Sequence, residues 1–242
     1  MKKIILTVLL ALISVSSVFA RSGTVLDDRV RLRSAPDLKY SQVEGYANKD
    51  DVFEIIAMTE TNSEIDGYNE PWYLIQTGNQ YKWIYGGYFK AEEVSNSWAE
   101  IETYSKSGAM LYSLWGMIFD HISETRTYYS KGTLMDTRTE NWRSPEGWMG
   151  VEILVFKSGP FIIEAQSSLG DTSWCNSEMV ENADNPINIK LGISESELKE
   201  IFGSDILINE WNHCDGNYDE VVKFNFSNGK LKSISFGYMG LL

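Results

Sequence analysis

The chain has 242 residues, 43% hydrophobic and 13% aromatic, with 21 Lys and Arg against 34 Asp and Glu and a formal net charge of −13. That is ample material for a packed core and sets the chain apart from disordered sequences. The acidic balance repels phosphate backbones and anionic headgroups, which argues against a nucleic-acid or membrane-surface partner reached through a basic patch.

The N-terminus reads MKKIILTVLLALISVSSVFA. Two lysines precede an apolar run from Ile4 to Ile13, and small residues close on Val18-Phe19-Ala20. This is the layout of a secretory signal peptide with an A-x-A-like cleavage site. The run is short for a bilayer span, and the residue after the site is Arg21, not a cysteine that could carry a lipid. The expectation is a signal peptide at 1–20 and a mature chain that is periplasmic or extracellular, with no membrane insertion after cleavage. Losing Lys2 and Lys3 and no acids takes the formal charge from −13 to −15.

From Val25 to Ala91 short strand patterns alternate with turn signals. RVRLRSAP sets Val30 and Leu32 against Arg29, Arg31 and Arg33, the period of two of a half-buried strand. Asp51–Met58 is a β-branched and aromatic run. Trp72–Thr77 is another, joined through Gly78-Asn79 to QYKWIYGGYF as a hairpin. About five strands in roughly 70 residues, with little helical periodicity, predict a small all-β barrel.

The order VRLRSAPDLKYSQVEGYANKDDVFEI, then WYLIQTGNQYKWIYGGYF, resembles the bacterial SH3-like domain family. Leu32, Arg33, Pro36, Gly45, Lys49, Asp51, Trp72, Tyr73, Ile75, Trp83, Ile84 and Tyr88 stand at matching positions, and Lys82 replaces the glycine usual before the second Trp. The resemblance covers residues 25–91. It implies a partly open barrel of five to six strands that docks on a peptidoglycan peptide or an envelope protein.

Within this segment YKWIYGGYFK places five rings around Gly86-Gly87. Trp83 and Tyr85 are expected on one face of the last strand and Ile84 on the other. The glycines are expected to turn the chain with positive φ, and Tyr88 and Phe89 to cover the open end. Most rings are expected to pack, because so small a barrel has little other core. Tyr40, Tyr46, Trp72, Tyr85 and Tyr88 are the candidates for exposure, and Tyr40, Trp72, Tyr85 and Tyr88 are the predicted ligand-binding residues, since an aromatic body with a polar tip suits a contact surface. TETNSEIDGYNEP, residues 59–71, reads as an exposed acidic loop beside the barrel mouth.

The polar stretch AEEVSNSWAE closes this unit, and residues 101–242 are expected to form a strand-rich α+β domain, so that the whole chain is mainly β. MLYSLWGMIF fits a buried strand or a helix equally. RTYYSKGTLMDTRT reads as a hairpin bent at Lys131-Gly132, VEILVFKSGPFIIEAQ as a second, and VVKFNFSNGKLKSISF as a third, turning at Asn228-Gly229. ISESELKEIFG is a marked helix: Ser194 and Glu197 make a capping box, Leu198, Ile201 and Phe202 a buried stripe, and Gly203 the C-terminal stop. Residues 187–237 are similar to the helix-plus-meander unit of SmpA/OmlA-type outer-membrane lipoproteins and β-lactamase-inhibitor-like domains, without their lipidated cysteine. That similarity implies a small α+β interaction domain.

Catalytic strings are sparse. Cys175 precedes His213 in the order of a Cys-His wall hydrolase, but such a nucleophile needs a helix N-terminus, and DTSWCNSEM leads into no apolar helix. No G-x-S-x-G, H-E-x-x-H or P-loop string is present. DGNYDE begins like a calcium loop but has Glu220 where the sixth position wants Gly, and Phe226 at the twelfth. Adjacent His213 and Cys214 make a poor metal pair. No catalytic residue, metal or cofactor is assigned. The reading is a non-catalytic binding protein; the alternatives are a cell-wall hydrolase with its site in 101–242 and an envelope-assembly or inhibitor-type protein.

The only cysteines are Cys175 and Cys214. In an oxidising compartment an isolated pair reads as one disulfide. Closing a loop of about 40 residues stabilises by roughly 3–4 kcal/mol on the chain-entropy account. Mass spectrometry of the mature chain without reductant should find it lighter than the reduced chain by two hydrogens; two free thiols in protein recovered from the periplasm would count against the pairing.

Overall fold

The structure is a computed structural model that describes residues 21–92, 101–124, 133–144, 147–166, 175–213 and 220–238. The expected signal peptide, the Lys131-Gly132 bend and Cys214 lie outside the described residues. The fold is mainly β, with two helices longer than a single turn among the described residues.

The first unit runs through β1 (Ser22–Val25), β2 (Val30–Arg33), β3 (Val43–Ala47), β4 (Val52–Thr59), β5 (Ser63–Ile65), β6 (Tyr68–Glu70), β7 (Trp72–Thr77), β8 (Gln80–Tyr85), a 3-10 turn (Gly86–Tyr88) and β9 (Phe89–Ala91). Gly78 (φ 63°) opens the two-residue turn between β7 and β8, and Asp66 (φ 54°) with Gly67 (φ 84°) turns β5 onto β6. These left-handed conformations match the twist of a tight hairpin. The strands order as β3-β2-β8-β7-β4-β1-β9, while β5 and β6 form a separate hairpin. β4 is shared: Val52–Glu54 pair with β1, and Ile55–Met58 with β7. A register shift between Ile55 and Ala57 bends it, as bulges do. Its last residues also pair, in parallel, with β10 (Glu102–Tyr104).

Alternation along these strands makes two buried faces rather than one. Val25, Leu32, Ile55, Ile75, Ile84 and Phe89 fill the inside of the curled sheet. One residue along, the side chains point the other way, yet Ala57, Trp72, Leu74, Trp83 and Tyr85 are buried too, together with Tyr104 and Ala109. Their cover is β10 and helix α1 (Lys106–Glu124). Trp83 Nε1 donates to Ser113 Oγ on α1 at 2.9 Å, and Ser113 donates back to Ala109 O at 3.0 Å. The segment MLYSLWGMIF is therefore helical. Met110, Leu111, Leu114 and Trp115 bury on the opposite side of α1, in the core of the second sheet, so the first half of the helix is buried on two sides and shows no clean one-sided period.

The second sheet contains β11 (Thr133–Ser144), β12 (Gly147–Ser158), β13 (Phe161–Gln166), β14 (Cys175–Met179), β15 (Trp211–His213), β16 (Glu220–Ser227) and β17 (Lys230–Tyr238), in the order β11-β12-β13-β14-β17-β16-β15. The expected turns at Gly159-Pro160 and Asn228-Gly229 are present, joining Ser158 to Phe161 and Ser227 to Lys230. Of the hairpin expected around Lys131-Gly132 only the second arm is described: Thr133–Thr139 pair with β12, Thr133 opposite Lys157 and Thr139 opposite Glu152. Helix α2 (Glu195–Phe202) carries the expected capping box, with Ser194 Oγ accepting from Glu197 N–H at 3.3 Å and the Glu197 carboxylate accepting from Ser194 N–H at 2.7 Å. Leu198, Ile201 and Phe202 bury as expected, and the Phe202 and Phe224 rings meet at 5.0 Å.

The loop after β2 reaches the second unit. Ser34 Oγ donates to Pro186 O at 2.5 Å, and Gln42 Nε2 donates to Asn185 O at 3.1 Å and Asn188 Oδ1 at 3.2 Å. Lys39 pairs with Glu200 on α2, and Ala35 and Tyr40 pack against the second core. Trp83→Ala should lower stability by about 3–5 kcal/mol. Ser113→Ala, which leaves a buried indole N–H without its acceptor, should cost about 1–3 kcal/mol. Denaturant midpoints of the two variants check both values.

Candidate functional site

Three local structures surround a cleft on the first unit. The loop from Ser34 to Gln42 is one wall. Asp37 Oδ1 accepts from Lys39 N–H at 2.7 Å and Tyr40 N–H at 2.9 Å, the local bonding that makes aspartate a turn former. Arg33, itself buried, spans the loop by donating from Nη1 to Ser41 Oγ at 2.9 Å. Burial, and Arg31 beside it, hold its guanidinium below the usual arginine range.

The β5–β6 hairpin is the second wall, and buried rings tie it down. The Tyr85 hydroxyl lies 2.6 Å from Ser63 O and 2.8 Å from Tyr68 O, and accepts from Glu70 N–H at 3.2 Å. Trp72 Nε1 donates to Ser63 Oγ at 3.2 Å, and Asn62 Nδ2 to Asn69 O at 2.9 Å. Residues 59–71, expected as an exposed loop, are largely exposed but form a strapped hairpin.

The 3-10 turn is the third wall. The Tyr88 hydroxyl donates to Asp66 Oδ2 at 2.8 Å, and its ring meets Tyr68 edge-on at 5.7 Å. The double glycine is needed here for close approach. A Cβ on Gly86 would stand 2.7 Å from Pro71 O, and one on Gly87 2.6 Å from the Tyr85 ring. Neither glycine has a positive φ, which corrects the expectation of a left-handed turn.

Between these walls lie two adjoining clefts of about 330 and 440 Å³ that share Leu38, Ile65 and Trp72. Trp72, Tyr85 and Tyr88 line the smaller cleft, whose other side carries Arg29, Arg31 and Arg33. Lys106, at the start of α1, closes the larger one. Of the four predicted ligand-binding residues, three therefore come together. Trp72 (2% exposed) and Tyr85 (4%) are buried, contrary to their expected exposure: they face out of the barrel, but β10, α1 and the β5–β6 hairpin cover them. They serve chiefly as anchors for its wall, through their hydrogen bonds to the β5–β6 hairpin. Tyr88 is half-buried. Tyr40 lines neither cleft; it packs against the second core with Lys39 Nζ 4.6 Å from its ring centre. Tyr46 is exposed, with the Arg29 guanidinium 5.1 Å from its ring centre. Tyr68, 49% exposed at the rim, was not anticipated. Its signal was the Asp-Gly pair of IDGY, which sets a hairpin and so fixes the following side chain beside Tyr88.

Elsewhere, Cys175 begins β14 and His213 ends β15, with β17 and β16 between them. Three strand spacings put the two backbones roughly 14 Å apart, a span that the expected Cys175–Cys214 disulfide would also have to close from the residue after His213. Among the described residues, no group of three or more His, Cys, Asp or Glu could hold a metal ion, and no helix is long and apolar enough to cross a membrane. Comparison of the chain with protein-family models, with curated proteins and with solved structures gave no match.

The hydrogen bond to Asp66, with smaller contributions from burial and from the charges of Asp66, Tyr68 and Asp27, raises the Tyr88 phenol above its ordinary value. A raised folded value favours the protonated ring, so the stabilisation is complete below about pH 10 and is lost as pH rises through the folded pKa. Asp66→Asn should move Tyr88 ionisation to lower pH. Tyrosine-ring NMR titration of the folded protein checks this; an unmoved transition would mean that the bond does not persist in solution.

Proposed function

We propose that this chain is an exported, non-catalytic binding protein whose N-terminal β unit, of bacterial SH3-like type, takes an extended cell-wall peptide in the paired clefts. The observation that carries the reading is the continuity of the two clefts along Leu38, Ile65 and Trp72. An elongated trough with aromatic edges and fixed polar groups suits an extended chain better than a compact metabolite. Its walls are already hydrogen-bonded in place, which lowers the ordering cost of binding. The signal-peptide pattern supports export, and the family resemblance supports a peptide of the envelope. The wide separation of Cys175 and His213 weighs against a Cys-His hydrolase built on those two residues.

Retention of the mature protein on purified sacculi at low salt tests the proposal. Leu38 lines both clefts and is 52% exposed, so Leu38→Glu should leave melting unchanged while lowering retention at least about tenfold, the scale of a central contact. Wild-type retention by that variant would move the site away from the clefts. No retention of the parent protein would remove the wall ligand and leave an envelope-protein peptide as the occupant.

A further inference from the structure

The smaller cleft has an uneven distribution of charge. At one corner the Asp66 carboxylate accepts from the Tyr88 hydroxyl at 2.8 Å, held there by the left-handed backbone of Asp66 itself. Asp27, in the turn between β1 and β2, lines the same corner, and one of its oxygens is oriented by Asp28 N–H at 2.8 Å. The Tyr68 ring stands edge-on to Tyr88, half exposed. Among the described residues no lysine or arginine lies within ion-pair distance of Asp27 or Asp66. Of the three arginines that line the cleft, Arg31 and Arg33 are on β2 and Arg29 follows Asp27 in the β1–β2 turn; Arg33 donates to Ser41, and the Arg29 guanidinium lies over the Tyr46 ring on β3. The electrostatics follow the same division. Tyr88 senses Asp66, Tyr68 and Asp27, whereas Arg33 senses Arg31 and Asp37.

We infer that the corner formed by Asp27, Asp66, Tyr68 and Tyr88 recognises a primary ammonium group on the peptide ligand, and that the arginine side faces carbonyl or carboxylate groups further along the same chain. Two carboxylates attract the cation and can accept its N–H donors, and two electron-rich rings add a cation–π contribution. The acidic charge of the whole chain favours approach of the same group. A free carboxylate or a second acidic peptide at that corner would meet uncompensated repulsion. This inference rests on the clefts being the peptide site, and it adds which chemical group selects the ligand.

The test uses the full mature chain and blocked pentapeptides that differ only at the central residue: lysine, Nε-acetyl-lysine or norleucine. Binding is read by fluorescence anisotropy at low salt. The lysine probe should bind about tenfold more tightly than the other two, the combined size of two exposed ion pairs and a ring contact. The preference should shrink with added salt. Asp27→Asn/Asp66→Asn should abolish the preference while keeping the norleucine affinity, which shows that the cleft is intact. Equal binding of the three probes, or a lysine preference that survives the double substitution, would overturn the inference. Equal binding that is lost in Leu38→Glu would leave the cleft as a peptide site and remove only the ammonium. No binding of any probe at millimolar concentration would count against both.

Discussion

Burial of the outward face of the first sheet under helix α1 is the constraint on which the rest of the structure depends. A barrel of this size has one small interior, and Ile84, Ile75 and Phe89 fill it. Trp72, Leu74, Trp83 and Tyr85 project the other way and would leave a large apolar patch in water. Helix α1 and Tyr104 cover them. The indole N–H of Trp83, taken out of water, needs an acceptor, and Ser113 supplies it at 2.9 Å. That hydrogen bond ties α1 to the sheet inside an apolar contact, and just before the helix β10 adds in parallel to β4. Glu102–Tyr104 and Ala109 consequently pack with the first sheet, and the second core begins at Met110.

The cleft is a by-product of that arrangement and of the loop after β2. Lys106 stands at the end of the larger cleft because α1 starts there, and its Nζ lies 3.7 Å from an Asp37 carboxylate oxygen. The opposite end of the same loop is attached to the second unit through Ser34, Lys39, Tyr40 and Gln42. The Lys39–Glu200 pair is exposed, and exposed pairs contribute little by themselves. Packing of Ala35 and Tyr40 into the second core contributes more. Tyr40 thus shapes the site from behind, by holding the wall that carries Leu38, although it touches neither cleft.

How much was legible in the chain varied with the kind of signal. Local signals were direct: the Ser194–Glu197 capping box, the Asn228-Gly229 turn and the Gly78-Asn79 hairpin all form where the residues indicated. The rings were legible as a group, since the face assignment of Trp83 and Tyr85 against Ile84 agrees with their two separate clusters. Their exposure was not legible, because alternation reports which side a residue faces and not what lies over that side. The double glycine illustrates the same gap. Its presence is plain in the sequence, but the reason is the approach of Pro71 O and the Tyr85 ring, contacts made across the hairpin.

The sequence by itself determined a mainly β chain, the turns that set its strand pairs, the helix at Glu195–Phe202 and the aromatic composition of the site. Each of these depends on neighbours within a few residues, where backbone preference, capping and alternation act. Only the tertiary structure decided that MLYSLWGMIF is helical and that α1 packs on both sides through Ala109–Trp115, that Trp72 and Tyr85 are anchors while Tyr68 and Tyr88 form the rim, and that Asp27 and Asp66 meet at one corner. Those outcomes depend on contacts between distant segments. Asp27 and Asp66 are brought together by the turn after β1 and the strapped β5–β6 hairpin, and no local pattern in either segment specifies the other.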